Sequence, residues 1–459
     1  MDYSKKEFLK TTKPLAKKIM NYCMKEGKTY GITNAYLEIS VNNGRTNFIE
    51  NGELSGFSSG LLAVTIFKLF AGKKVVSCIK NSLDFEEIKE SIDKNMKIIH
   101  LAPELENITF LPPEKVYRGR GVDFQLYTDF SYPQSDLIDY ACRLDKELIS
   151  NDGIKSEVSI KKKDYHTIVA SSNGIFRTAH GKAYHSGVSV TAEDDKRKME
   201  SYYDGVISVD FKDFPNPESW AKEIVKEAKM KLKPIFPKSG ETSIVLSPEI
   251  AADFFSSVFD AIDGTAVYEG STFMKGKIGE QVMNEGITII DDPRIKKCLG
   301  SQFMDNAGIK SEKIEFIKKG ILKNYNMDLK EARQLGLEPI GRNEGGYTNV
   351  KVMPGKVSPE ELIKDIKKGI YIKELSDGII DVNIGTYSCP ASGVMIEKGK
   401  ITTKAVNGFI MSGQLQDMFM RAVLANDTPK HPNLRDSFLA PTTRIDKMIV
   451  SSRRKKAIS

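Results

Sequence analysis

Residues 242–264 read TSIVLSPEIAADFFSSVFDAIDG. The stretch opens as a strand, Ser243 to Leu246, and then turns into a helix with a clear start signal. Ser247 is placed to cap the first free N–H groups. Pro248 falls at the first helical position, where its missing N–H costs nothing, and Glu249 suits the positive end of the dipole. Ile250, Ala251, Phe254, Phe255, Val258, Phe259 and Ile262 recur at helical spacing and make one apolar face. The helix carries no histidine. Its polar groups, Asp253, Ser256, Ser257 and Asp260, do not form a metal-binding set.

Working outward, the 459 residues are enough for two or three domains, with 40% hydrophobic and 28% charged residues, an ordinary globular composition. No apolar run approaches the roughly 18 residues of a membrane helix. The opening MDYSKKEFLK has no apolar stretch behind its charges, so a cytoplasmic location and no membrane partner are expected. Five scattered cysteines, Cys23, Cys78, Cys142, Cys298 and Cys389, form no C-x-x-C pair and read as reduced packing groups. The net charge of +7, from 68 basic and 61 acidic residues, is mild. Its dense clusters are Lys161 to Lys163 and the tail Arg453 to Lys456, read as solvated charge.

Residues Lys5 to Glu26 read as a helix, with Pro14 either kinking it or marking its start. Strands follow over Ala35 to Val41, Arg45 to Glu50, Gly60 to Leu69 and Lys73 to Ile79, with turns at Asn42-Asn43-Gly44, Glu50-Asn51-Gly52 and Ala71-Gly72. Asp84 caps a helix to about Ile99. After a Pro- and Gly-rich break, Ser135 opens a helix to about Ile149. Lys155 to Ala170 and Ile175 to Thr191 then form a hairpin, Glu200 to Val209 adds a strand, and Asn216 caps a helix to about Leu232. The pattern gives an α+β chain: an N-terminal unit (1–101), a linker (102–121), a middle α/β unit (122–232), a second linker (233–240) and a large β-rich C-terminal domain (241–459). In the last, Ser358 starts a helix that Gly369 stops, and Gly and Asn turns suggest many short strands.

Chemistry-bearing groups are sparse. His166 and His180 can meet across the hairpin, whereas His180 and His185, five apart, face opposite sides of a strand. Two imidazoles fall short of the three protein ligands of a catalytic zinc. Asp291-Asp292-Pro293 reads as a turn or cap rather than an acid–base pair. Cys389 has no neighbouring base and reads as packing. Gly341 to Gly346 is Gly-rich without a strand–helix phosphate pattern.

Five segments of the C-terminal third stand in a distinctive order. They are Thr288-Ile289-Ile290-Asp291-Asp292-Pro293, Phe303 to Gly308, Gly320 to Tyr325, Thr348 to Gly355, and Gly385 through Gly393 to Ile401. Together with Gly52 to Ser77 they resemble the TldD/PmbA family, once labelled modulators of DNA gyrase, over nearly the whole chain. The resemblance implies the two-unit plus β-rich fold. It also implies one of two subunit types: a zinc peptidase with His-Glu-x-x-x-His on a helix and a later Cys ligand, or a TldE (PmbA) partner without them. Aligned on the family, the motif window falls on Ser256 to Ala261. Ser256 and Ala261 then take the His positions and Ser257 the Glu position, and Asn426-Asp427-Thr428-Pro429 offers no Cys.

The resemblance therefore implies the metal-free PmbA/TldE branch. No cofactor is expected on this chain, and zinc is expected on a TldD-like partner subunit in a heterodimer; a homodimer is the other assembly. The complex would act on an extended or unfolded peptide. Tyr347, Thr348 and Asn349, with Thr386, Tyr387 and Ser388, are the residues expected to hold that peptide, or else to stabilise turns. Two other readings stay open: a metallopeptidase with atypical ligands such as His166 or His180, and a nucleic-acid or gyrase-linked regulator resting on the basic tail. Nucleic acid is not among the expected partners.

Overall fold

A computed structural model describes residues 4–106, 110–119, 121–343, 345–429 and 437–452. His431 and the basic tail Arg453 to Lys456 lie outside the described residues.

The first half of the chain builds one sheet with helices against one face. Helix α1 (Lys5–Glu26) starts where the Ser4 side chain accepts from the Glu7 amide. Pro14 lies inside it, in the same unbroken helix. Strands β1 (Asn34–Glu50), β2 (Glu53–Ala71) and β3 (Lys74–Lys80) follow, then helix α2 (Phe85–Ile98), capped by Asp84. Helix α3 (Gln134–Ile149) leads to β4 (Ile154–Ser171), β5 (Phe176–Glu193), β6 (Met199–Ser208) and α4 (Pro217–Lys231). The sheet order is β3-β2-β1-β4-β5-β6, so β1 and β4 join the first and middle units in one surface. Alternate residues of β1, Leu37, Ile39 and Val41, pack under α1 and α2, and Ile49 packs under α3.

Three local expectations need correction. Asn42-Asn43-Gly44 is not a turn: β1 runs straight through it. Gly44 pairs with Gly60 on one side and Lys163 on the other, so a ladder on both edges overrides the Asn-Gly turn preference. Ser135 does not cap α3, which begins at Gln134 behind Pro133 without a side-chain cap; the Ser135 hydroxyl bonds Asp136. Gly369 does not stop the helix begun at Ser358, which ends at Ile363. Gly369 sits in a strand, where a Cβ would meet the Ser243 carbonyl oxygen at 2.8 Å.

The C-terminal domain starts with β7 (Gly240–Leu246), α5 (Pro248–Ala261) and α6 (Gly264–Glu269). Short elements follow: β8 (Ile289–Asp291), β9 (Ile314–Lys318), β10 (Ile321–Leu322), α7 (Leu329–Leu335), β11 (Val350–Val352) and α8 (Pro359–Ile363). Then come β12 (Lys368–Leu375), β13 (Ile379–Asp381), β14 (Thr386–Glu397), β15 (Lys400–Gln414), α9 (Leu415–Arg421), β16 (Val423–Leu424), β17 (Phe438–Leu439) and β18 (Thr443–Ser452). Not all are short: β14 and β15 run 12 and 15 residues. Strands β12, β7, β18, β15 and β14 are neighbours in that order, and β12 also pairs with β14, closing a five-stranded ring. A five-stranded sheet, β10-β9-β8-β11-β17, lies beside it. Helix α5 shares one core with both sheets, through Phe254, Phe255, Val258 and Phe259.

Polar side-chain contacts tie the halves together. Lys231 of α4 meets Glu374 of β12 at 2.8 Å, and Lys373 meets Glu227 at 2.5 Å. Arg177 of β5 donates to the Met304 carbonyl and the Asn306 side chain. No helix among the described residues is long and apolar enough to cross a membrane.

His166 and His180 do meet, as a cross-strand pair with Nδ1 to Nδ1 at 3.0 Å, under Phe8 of α1 and beside Tyr127. Burial, with the neighbouring His166 and Lys5, pushes the His180 imidazole from its ordinary 6.5 down to about 4. The folded state therefore resists a proton that the unfolded chain accepts. Stability from this group is full above about pH 6.5 and is lost as pH falls toward 4. With the discount for partial exposure, the loss is on the order of 1 to 2 kcal/mol. Thermal melts across that window should show the wild type losing stability more steeply than His180→Gln; equal slopes would remove His180 as the cause.

Candidate functional site

Helix α5 is anchored at its start by Ser247, whose hydroxyl oxygen accepts from the Ile250 amide, with Pro248 at the first position. Its apolar side holds an aromatic run. Phe254 meets Tyr387 edge-on at 5.5 Å between centroids, Phe255 stacks on Phe419, and Phe259 touches Phe316, Tyr347 and Phe438. Strand β14 thus braces one end of the helix, and the segment before β11 braces the other.

The positions that the family resemblance picks out sit on this helix. Ser256 donates its hydroxyl to the Asp253 carbonyl at 2.8 Å, and Ser257 donates to the Phe254 carbonyl at 2.7 Å. Both hydroxyl protons are spent on the helix's own backbone. Ser257 and Ala261 are buried, and Ser256 is half-buried. On the same side as Ser256, one turn on, Asp260 is exposed, and partial desolvation of its carboxyl with the neighbouring Asp263 charge pushes it up. Ala261 has no donor atom, and two back-bonded serines do not fit a zinc ion. Among the described residues no three His, Cys, Asp or Glu side chains stand close enough to hold a metal. The His166 and His180 nitrogens also do not fit one. At 3.0 Å they are at hydrogen-bond distance, and two imidazoles fall short of the three protein ligands a catalytic zinc needs.

The six residues expected to hold a peptide divide. Asp291, on β8, is the hub for two of them. Its carboxylate receives Arg342 Nε at 2.7 Å, the Thr348 and Asn349 amides, and the Thr348 hydroxyl. Arg342 has its side chain fully buried and also donates to the carbonyls of Asp291, Gly341 and Glu312. Asn349 donates to the Asp292 carbonyl and to Ser301. Thr348 and Asn349 are therefore interior pins, while Tyr347 packs against Phe259 and Phe438. Tyr387 is buried, its hydroxyl against the Met448 sulfur. Thr386 is half-buried, and Ser388 of the same strand is exposed, opposite Ile379 of β13.

Sequence reasoning read Asp292 correctly as a turn former, for it accepts from the Arg294 amide. It missed Asp291 as a buried ion-pair partner. The available signal was a charge closing the apolar run Thr288-Ile289-Ile290, with a lone arginine in the Gly-rich segment near Gly341. It also missed Asp305, a buried carboxyl pushed up to about 6 by burial, against the opposing pull of backbone amides and of Arg177. Cys389 is buried and its thiol is pushed up by burial, which suits packing rather than attack.

Truncating one partner of a buried pair strands the other's charge. Asp291→Ala should cost about 3 to 5 kcal/mol in denaturant unfolding, and Asn349→Ala about 1 to 3 kcal/mol. Ser388→Ala, at an exposed position, should change stability by no more than about 0.5 kcal/mol. An Asp291→Ala protein as stable as the wild type would remove the hub.

Comparison with known proteins agrees with this layout. Residues 239–452 match the model of the PmbA/TldA metallopeptidase C-terminal domain, and residues 127–232 match that of the central domain. The chain is 28% identical over 403 residues to the Metalloprotease PmbA homolog of Buchnera aphidicola subsp. Acyrthosiphon pisum, spanning 86% of this chain and 88% of that one. It is 27% identical to Metalloprotease PmbA of Escherichia coli O157:H7, across 66% of this chain and 67% of that one. TldE from Thermococcus kodakarensis shares the fold at a TM-score of 0.82 and 19% identity, over 95% of this chain and all of that one. Two domain models of one family cover more than half of the sequence, and the chain belongs to the PmbA/TldD metallopeptidase family.

Proposed function

We propose that this chain is the metal-free, TldE-like subunit of a two-subunit peptidase, and that it helps to enclose an extended peptide while a TldD-like partner carries the zinc and the cleavage chemistry. The observation that carries this reading is the chemistry of α5. At the aligned motif positions stand Ser256, Ser257 and Ala261. Neither serine has a free hydroxyl proton, and the alanine has no donor atom. Nothing at those three positions can lower the pKa of a metal-bound water or take its proton.

The peptide-facing role falls to the outer part of the C-terminal domain. Ser388 and Thr386 of β14 lie next to the short strand β13, where Ile379 is strongly exposed. An extended backbone bonds well to such polar strand groups, and the apolar neighbour offers a side-chain contact. Tyr347, Thr348, Asn349 and Tyr387 act one layer in, by fixing the helix and strands that shape the wall. The acting complex is expected to be a heterodimer within the cytoplasm.

The test is the zinc content of the untagged chain purified alone at neutral pH, followed by peptide hydrolysis with and without a TldD-like subunit. The expected result is far below one zinc per chain and cleavage only in the mixture. Near one zinc per chain, with chelator-sensitive cleavage by the chain alone, overturns the proposal.

A further inference from the structure

A cleft lies where the middle unit meets the C-terminal ring. Strand β6 and helix α4 form one wall, through Tyr202, Glu227, Met230 and Lys231, and strands β12, β14 and β15 form the other. The space between them is about 390 Å³, its open mouth included. Two strand irregularities shape it. Strand β12 carries one extra residue against β14: Lys373 stands between the pairs Ile372–Gly393 and Glu374–Ser392. Strand β15 carries one extra residue against the same point of β14, at Asn407-Gly408, where Gly408 takes a φ of 69°. A bulge disrupts the ladder and re-aims a side chain. Here two of them meet at Ser392, and Lys373 and Asn407 both line the cleft.

Two ion pairs of opposite polarity cross the cleft, and they differ in how complete they are. Lys231 reaches both oxygens of Glu374 at 2.8 Å and the Ser201 carbonyl at 2.6 Å, and the Ser392 hydroxyl donates to Glu374 at 3.0 Å. That pair is closed. Lys373 donates to Glu227 at 2.5 Å, and among the described residues neither has another hydrogen-bond partner. Lys373 therefore keeps two N–H groups, and Glu227 keeps one oxygen. Their side chains stay 30% and 21% exposed, within reach of a small molecule. Asn407 spends its side-chain oxygen on the Gly408 amide and keeps its NH₂ group without an acceptor among the described residues.

The lining selects a ligand class. Two lysines against two glutamates give it no net formal charge. An anion such as phosphate would face two carboxylates, and a simple cation two ammonium groups. A zwitterion meets neither penalty. Because Lys373 and Glu227 touch, the spare donors and the spare acceptor stand side by side. An α-amino acid carries its carboxylate and its ammonium one carbon apart. Set head to tail against the pair, it adds charge-assisted bonds without breaking the one already made. Met230, Pro234, Val394 and Val406 offer its side chain an apolar wall.

We propose that this cleft binds a free α-amino acid with an apolar side chain, its carboxylate on Lys373 with Asn407 beside it, and its ammonium on Glu227. Peptide hydrolysis releases molecules of this class. Both units build the cleft, so a bound amino acid stabilises their contact.

The test is calorimetric titration of the untagged full chain with L-leucine, with thermal melts as a second readout. The expected result is saturable binding of one leucine per chain and a raised Tm. Leucinamide, which lacks the carboxylate, and N-acetyl-leucine, which lacks the ammonium, should each bind about tenfold more weakly or worse. Leu-Leu, whose end charges stand a peptide unit apart, should lose about as much. Lys373→Met and Glu227→Gln should each weaken leucine binding by a similar factor. If Lys373→Met fails to fold, Glu227→Gln, which keeps an acceptor for Lys373, serves alone. No saturable leucine binding, equal binding of either capped form or of Leu-Leu, or unchanged affinity in Glu227→Gln overturns the proposal. The titration is made on this chain alone, so it stands or falls separately from the zinc measurement.

Discussion

The C-terminal domain turns on a buried charge that is almost completely satisfied. Asp291 gathers a guanidinium, two backbone amides and a hydroxyl, and Arg342 spreads its remaining protons over four carbonyls, those of Ile340, Gly341, Asp291 and Glu312. A carboxylate so deep in the protein is tolerable only when its lone pairs are occupied in this way. The cost of burial becomes a demand on geometry. The ends of β8 and β11, and the Gly341 turn, must each arrive at the correct distance. Gly300 shows how tight the fit is, since a Cβ there would stand 2.0 Å from the Thr348 carbonyl oxygen. Helix α5 inherits this precision through Phe259 and Tyr347, the residue that precedes Thr348.

The parts of this architecture that were legible in the sequence are the locally encoded ones. The Ser247-Pro248-Glu249 start, the Asn216-Pro217 start and the hairpin that brings His166 to His180 each depend on a few neighbouring residues, and each stands where periodicity and capping place it. Where local reasoning failed, a distant partner decided the outcome. Asn42-Asn43-Gly44 has the composition of a turn, but β2 and β4 flank it on both edges and hold it extended. Gly369 looks like a helix stop, yet its smallness serves the close approach of Ser243. The ring closure by β12 and β14 has no local signature at all.

The candidate site was legible to a lesser degree. Ser256, Ser257 and Ala261 could be read as poor ligands from residue type alone, and the bonding of the two serines to their own helix adds a reason that no sequence pattern carries. Thr348 and Asn349 looked like surface groups in a Gly-rich loop. Their true partner, Asp291, lies 57 or 58 residues away in sequence. Ser388 stays exposed because strand alternation turns it outward while Tyr387 turns in.

The burial of α5 also bears on how such a chain can change over time. Ser257 is 4% exposed and Ala261 is 1% exposed, each enclosed by packed neighbours. A glutamate and a histidine at these two places would need room that aromatic and aliphatic side chains now fill. An ancestor with a working metal centre on this helix could lose it by one substitution at a time, each gap then closing by repacking. The return path is not the same three substitutions in reverse, since the steps back at Ser257 and Ala261 each begin with a clash. The close packing that keeps this helix rigid therefore works as an evolutionary ratchet, holding the helix to the side chains it now carries.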